Sequence, residues 1–507
     1  MRGSVDEDVS GTNCHKIIPF CQNRKYKRNE DIEMENQYAS PQRPISARTS
    51  GQKRPPQRPP QQRPPQPPPQ NRKPKKKKGL GYRRRRNAIL ILLALIILIV
   101  FVCVRCSNCR SIPKESGVIQ ADAPTDTVHT TESSTEATTE AATEPEKGDR
   151  VHVVAVGDNL VQTSVYNSAA AHAENGEEYN FDYVYDGITD LITGTGADLR
   201  MINQETIICG DPSFEISGSN YNFNSPPEVG DALMNAGFNV VSMSNNHLLD
   251  KGIDGLSASL DYWDEMQQKY PDLLTYGVYR DVEDMENIRV KEFNGLKVAF
   301  LAYTENINGY TIPEDSPIQV ILTTQEDVIQ EQIERANEIA DIVVVSAHWG
   351  DEDTFEVRDG VKAQAQNMIE WGADVVIGNH PHVPQTMEYV TRSDGTEGFV
   401  FYALGNFVSA QTFNINIIGE VADFELVYDD ATAQVTVENV QVRPIITQYD
   451  DGSLTNLRLI AYKDYTEELA NAHGIPYAMT GEYGVWNMDK IQEIIDTAIP
   501  KEFQKLD

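Results

Sequence analysis

The chain has 507 residues and a formal net charge of −32, from 76 acidic and 44 basic side chains. The charge is unevenly laid out: residues 1–87 hold 22 Lys/Arg against 7 Asp/Glu, so a basic tail precedes a strongly acidic body. Of six cysteines only Cys209 falls in the body, which excludes an internal disulfide there and leaves a large hydrophobic core as its source of stability.

Residues 1–87 carry too few apolar side chains to form a core, and PPQRPPQQRPPQPPPQ has a polyproline II composition, so this tail is expected to be disordered. Its basic runs KPKKKK and RRRR read as a nucleic-acid patch on composition alone, but the next segment argues against a nucleic-acid partner. Residues 88–104, AILILLALIILIVFVCV, are 17 consecutive apolar positions, the short end of what crosses a bilayer as a helix. Arg83 to Arg86 abut them, and the positive-inside rule puts the tail in the cytoplasm and the C-terminal domain outside the cell. No small-residue cleavage site follows directly, so an uncleaved signal anchor is expected in the cell membrane. The tail can then rest on anionic headgroups or recruit a cytoplasmic partner through its prolines.

Residues 105–150 include a Thr/Glu/Ala-rich stretch without hydrophobic periodicity, expected to be an extracellular stalk. Cys106 and Cys109 form one CxxC there, with no second pair to complete a structural zinc site.

From residue 151 apolar runs end in polar residues of the kind that bind ligands. VHVVAVGDN ends at Asp158, ADLRMINQE at Asn203 and Glu205, and FNVVSMSNNHLLDKG at Asn245, Asn246 and His247. ADIVVVSAHWGDE ends at His348, and GADVVIGNHPH at His380 and His382. PPEVGDALMNAGF, GIDGLSASLDYWDEMQQKY, QEDVIQEQIERANEIA and VKAQAQNMIEWG lie between or after them, with apolar residues every three to four positions. Strand and helix alternate, which implies an α/β fold with a mostly parallel sheet and helices on its faces. Ligands bind such sheets at the carboxyl ends of the strands, so these residues should converge. A set of Asp, Glu, Asn and His without thiolate suits a divalent metal, Mn, Fe or Zn, and two ions would supply a nucleophile and clamp the substrate.

The series VGD, NQET, NNHLLDKG, AHWGDE, GADVVIGNHPHVPQ and YALGNFV, in this order, resembles the CapA-type poly-γ-glutamate capsule biosynthesis family. That resemblance implies a metallophosphatase-like layered α/β domain over residues 151–410. It implies Asp158, Glu205, Asn246, His348, His380 and His382 as metal ligands and His247 as the catalytic proton donor or phosphate contact. Gln204 replaces the family's usual Leu before Glu205. Metallophosphatases commonly open with Asp-x-His, and here Leu160 stands two residues after Asp158. Asn203, Asn245 and Asn406 are the candidate substrate contacts, although Asn406, beside Gly405 at a strand end, also suits a turn.

IRVKEFNGLKVAFLAY reads as a hairpin around Asn294-Gly295. Residues 411–507 read as a β-rich extension of antiparallel strands packed on the domain, closed by the helical pattern MDKIQEIIDTAI. Three functions follow: a membrane-anchored protein of capsule or envelope polymer assembly, a metal-dependent phosphoester or amide hydrolase, and a non-catalytic scaffold. The acidic body would repel a polyanion except at a metal-bearing cleft, so the capsule polymer follows from the resemblance and not from charge.

Overall fold

A computed structural model describes residues 149–219, 221–475 and 485–507. All described residues belong to one compact unit. The expected tail at 1–87, the span at 88–104 and all but the last two residues of the stalk lie outside the described residues. Among the described residues, no helix is long and apolar enough to cross a membrane.

The strands run in chain order β1 (Arg150–Asn159), β2 (Leu199–Asn203), β3 (Ser217–Ser219), β4 (Asn222–Asn224), β5 (Val240–Ser242), β6 (Leu274–Tyr276), β7 (Arg289–Phe293) and β8 (Leu296–Thr304). They continue as β9 (Ile342–His348), β10 (Val375–Asn379), β11 (Met387–Thr391), β12 (Glu397–Phe401), β13 (Asn406–Val408), β14 (Ile418–Asp429), β15 (Gln434–Gln448) and β16 (Arg458–Ala461). The fold is α/β, but these strands form two main sheets instead of one. The larger runs β16-β15-β14-β1-β2-β5-β6, with β13 also on β1, and the smaller runs β11-β12-β10-β9-β8-β7.

Within each sheet the neighbours β1-β2-β5-β6 and β8-β9-β10-β12 are parallel. Helices Gly252–Lys269, Glu326–Ile339 and Asp359–Glu370 follow strands, as the three-to-four spacing requires. The parallel strands are buried on both faces, which explains their continuous apolar runs.

The two sheets pack face to face, with Phe401 of β12 against Phe424 of β14 at 5.2 Å between ring centroids. The outer face of the smaller sheet is covered by Ile329, Ile333, Val361 and Met368 of two helices. Asn294 and Gly295 both have positive φ, 52° and 77°, as the tight hairpin between β7 and β8 demands.

The C-terminal strands complete the larger sheet. β14 pairs antiparallel with β1 from Arg150 to Val156, so the segment after residue 410 supplies the neighbour of the first strand. Gly157 allows this crowding at the end of β1. A Cβ there would lie 1.8 Å from the Gly405 carbonyl oxygen, which accepts a hydrogen bond from Asp158 N at 3.0 Å.

Candidate metal centre

The carboxyl ends of both sheets meet in one place. Asp158, one residue before the end of β1, stands opposite Asn203 of β2 and Asn406 of β13, while His348 ends β9 opposite Asn379 of β10. His380 and His382 follow β10 with positive φ of 99° and 59° on either side of Pro381. Left-handed backbone costs a non-glycine residue about 1–2 kcal/mol, and such strain concentrates at functional sites. Here the kinked turn delivers His380 N to Asp158 Oδ2 at 3.0 Å, joining residues 222 positions apart.

Glu205 lies at the centre and is fully buried. Its Oε1 is 3.6 Å from His348 Nε2, 3.6 Å from His382 Nε2 and 4.0 Å from His247 Nε2. Neither Glu205 oxygen has a hydrogen-bond partner, nor do Asn203 Oδ1 and His380 Nδ1. Asp158 lies 3.5 Å from His382 Nδ1 and 3.9 Å from His348 Nδ1, and it accepts from Asn203 Nδ2 at 2.7 Å.

Among the described residues, three groups offer ligand atoms within 4.8 Å of one another: Asp158, Glu205 and His382; Glu205, His348 and His380; and Glu352, His380 and His382. Glu205 is common to the first two. These donors fit a divalent cation, because buried carboxylate oxygens and an imidazole nitrogen without partners are what a metal site leaves exposed to its ion.

The electrostatics agree. Burial pushes Glu205 well above the ordinary carboxylate range, against the pull of His382. Burial also opposes charge on His382, but Glu205 and Asp158 outweigh it and raise its pKa to about 10. Burial and the surrounding imidazoles hold His348 far below its ordinary value, and burial followed by His382 lowers His380 to about 4. Two histidines are thus kept in the neutral form that binds metal, and one proton sits among two carboxylates where a cation would serve.

A ring of partners aims these side chains. Asn246 Oδ1 lies 3.0 Å from His348 Nε2, so Asn246 is at the centre itself. Asn406 Oδ1 lies 3.0 Å from His382 Nδ1, and its amide hydrogens go to His382 O, Gln411 and Asn416 O, so it fixes the imidazole. Asn245 spends its amide on Gln204 O and Met243 O and accepts from His247 N at 2.8 Å, which shapes the turn. Leu160 is buried and brings no ligand atom.

His247 stands at the edge. Asp250 Oδ2 accepts its Nδ1 proton at 2.9 Å, which turns Nε2 toward Glu205, and Phe223 packs edge-on at 4.7 Å between ring centroids.

Sequence reasoning placed the strand-end residues and missed several others. Asn308, whose Nδ2 lies 3.3 Å from His247 Nδ1 and whose Oδ1 accepts from Asn246, sits in a loop without a strand-end signature. Glu352 is in the quoted motif AHWGDE, yet only the fold shows that it reaches His380 and His382. Glu305, bound twice by Arg358 and by Gly350 N, closes the side near His380, and nothing in its local sequence marks it.

The family described as "Bacterial capsule synthesis protein PGA_cap" matches residues 152–411. The chain is similar to the capsule biosynthesis protein CapA of Bacillus anthracis, 27% identical over 270 residues, which are 52% of this chain and 62% of that one. It is also similar to the PGA biosynthesis protein CapA of Bacillus subtilis, 32% identical over 180 residues, 35% of this chain and 44% of that protein. The chain therefore spans less than two thirds of the length of either relative. A phosphatase of Mycoplasma pneumoniae of known crystal structure aligns over 59% of this chain and 94% of its own, at 15% identity and a TM-score of 0.34, too distant a likeness to bear on activity.

Proposed function

We propose that this chain, which belongs to the bacterial capsule synthesis protein family PGA_cap, works in the assembly of a capsule or cell-envelope polymer such as poly-γ-glutamate, through a buried divalent-metal centre that hydrolyses a phosphoester or amide bond. Glu205 carries the metal reading: a fully buried carboxylate with both oxygens unpartnered, between three imidazoles, is costly without a cation. Asp158, Glu205, His348, His380 and His382 would hold Mn, Fe or Zn. Bound there, divalent ions lower the pKa of water and polarise a phosphoryl or carbonyl oxygen.

The chain's own groups supply the rest. Asp250 fixes the His247 tautomer and aims Nε2 into the site, where it can pass a proton to a departing oxygen or nitrogen. Asn406 keeps the His382 ring from swinging away, and Phe223 shields one face of His247 from water. In this reading residues 88–104 anchor the chain in the membrane with the centre on the outer side.

Full-length protein purified in detergent, stripped with chelator and resupplied with manganese or zinc tests the proposal. Elemental analysis is expected to find on the order of two ions per wild-type chain and few or none in Glu205→Gln and His382→Ala. A wild-type chain that retains no ion overturns the metal reading and leaves a scaffold.

A further inference from the structure

The hairpin β3–β4 is tied to the turn that carries His247. Phe223 N donates to Asp250 Oδ2 at 2.9 Å, the oxygen that also holds His247. Lys251 Nζ donates to Ser217 Oγ and Asn222 Oδ1, both at 2.8 Å. At the tip stands Tyr221, with φ of 60°.

An aromatic residue in left-handed backbone is unusual, because glycine or asparagine would take the turn without the cost. Tyr221 is also 61% exposed. Among the described residues six large hydrophobic side chains are exposed, and of these Tyr221 is the one in ring contact with a site histidine, 6.3 Å from His247 between centroids. A second exposed ring, Tyr310, lies two residues beyond Asn308, which touches His247.

We propose that Tyr221 is the platform for the leaving group, and that the substrate of this site carries there an uncharged ring of the sugar type. The proposal rests on the hydrolase reading, in which His247 faces the departing group. An open tyrosine face packs against the C–H face of a ring, and its hydroxyl can bond a ring hydroxyl. The Lys251 ammonium bound to the neighbouring Asn222 disfavours a cation at this rim. For a sugar phosphate the water oxygen forms a bond to phosphorus and gives up one proton to solvent, the bond from phosphorus to the sugar oxygen breaks, and that oxygen takes the proton from His247 Nε2, which solvent then restores.

The test uses the full-length metal-supplied protein, with glucose 1-phosphate and propyl phosphate as substrates. The ratio of their kcat/KM values is expected to fall about tenfold in Tyr221→Ala and to stay within a factor of about two of wild type in Tyr221→Phe. Methyl glucoside binding, read by saturation-transfer NMR, needs no turnover. Binding by wild type that is lost in Tyr221→Ala, with neither ester hydrolysed, defeats the hydrolase reading and keeps the platform. No binding by wild type, or a ratio and binding indifferent to Tyr221→Ala, overturns the platform.

Discussion

Replacing Glu205 by glutamine should make the metal-free chain more stable and the metal-supplied chain less so. Glutamine keeps the shape and removes the charge. The lost attraction to His382, at 3.6 Å, is on the order of 4–5 kcal/mol at an effective dielectric constant near 20. Against it stands the burial of a carboxylate with neither oxygen hydrogen-bonded, which costs several kcal/mol, and His382 can then relax to its neutral form. Removing one partner of a buried pair destabilises when it strands the other charge, and here His382 either keeps Asp158 at 3.5 Å or gives up its proton, so a gain of about 1–3 kcal/mol is expected in chelator. With metal at about a hundred times its dissociation constant the wild type should gain about 2.7 kcal/mol, and Glu205→Gln little. The order of the two proteins therefore inverts. Denaturant unfolding of both, in chelator and with zinc or manganese, reads this directly. A variant less stable than wild type in chelator, or an equal gain with metal in both, would refute the reasoning.

Three further outcomes follow from other contacts. Asn406→Ala frees the His382 ring from its 3.0 Å partner and is expected to weaken metal affinity about 10- to 100-fold, measured by competition with a metal indicator. Gly157→Ala forces a methyl group to within 1.8 Å of the Gly405 oxygen and should cost about 3 kcal/mol or more by denaturant unfolding, because backbone must move. His473, buried with Nε2 donating to Thr447 O and Nδ1 accepting from Ile475 N, is held by burial at about 4, below its ordinary 6.5. The unfolded chain then binds the extra proton between pH 6.5 and 4, so stability falls with acidification across that window by up to about 3 kcal/mol. His473→Gln should flatten that slope in unfolding measured at a series of pH values.

Much of the centre was legible because a parallel strand announces itself by an apolar run and its carboxyl end by the polar residue that follows. Asp158, Glu205, His348, His380 and His382 were expected to converge on this ground, and the fold brings them together. Asn245 and Asn406 stand where the strand-end pattern places a substrate contact, and their hydrogen bonds shape a turn and hold a histidine. Local pattern reports where a side chain stands along the chain and not what its amide will face. Tyr221 and Asn308 escaped for a related reason, since neither a hairpin tip nor an irregular loop carries a period.

By itself the sequence determined the charge layout, the alternation of strands and helices, the hairpin at Asn294-Gly295, and the chemistry of the donors, since these depend on residue type and short-range spacing. The tertiary structure alone decided that the strands divide between two sheets, that β14 returns to flank β1, and that His380 N reaches Asp158 across 222 residues. Strand order is set by which buried faces pack best over the whole chain. Hydrophobic periodicity records that a face is buried and carries no label for the strand that covers it.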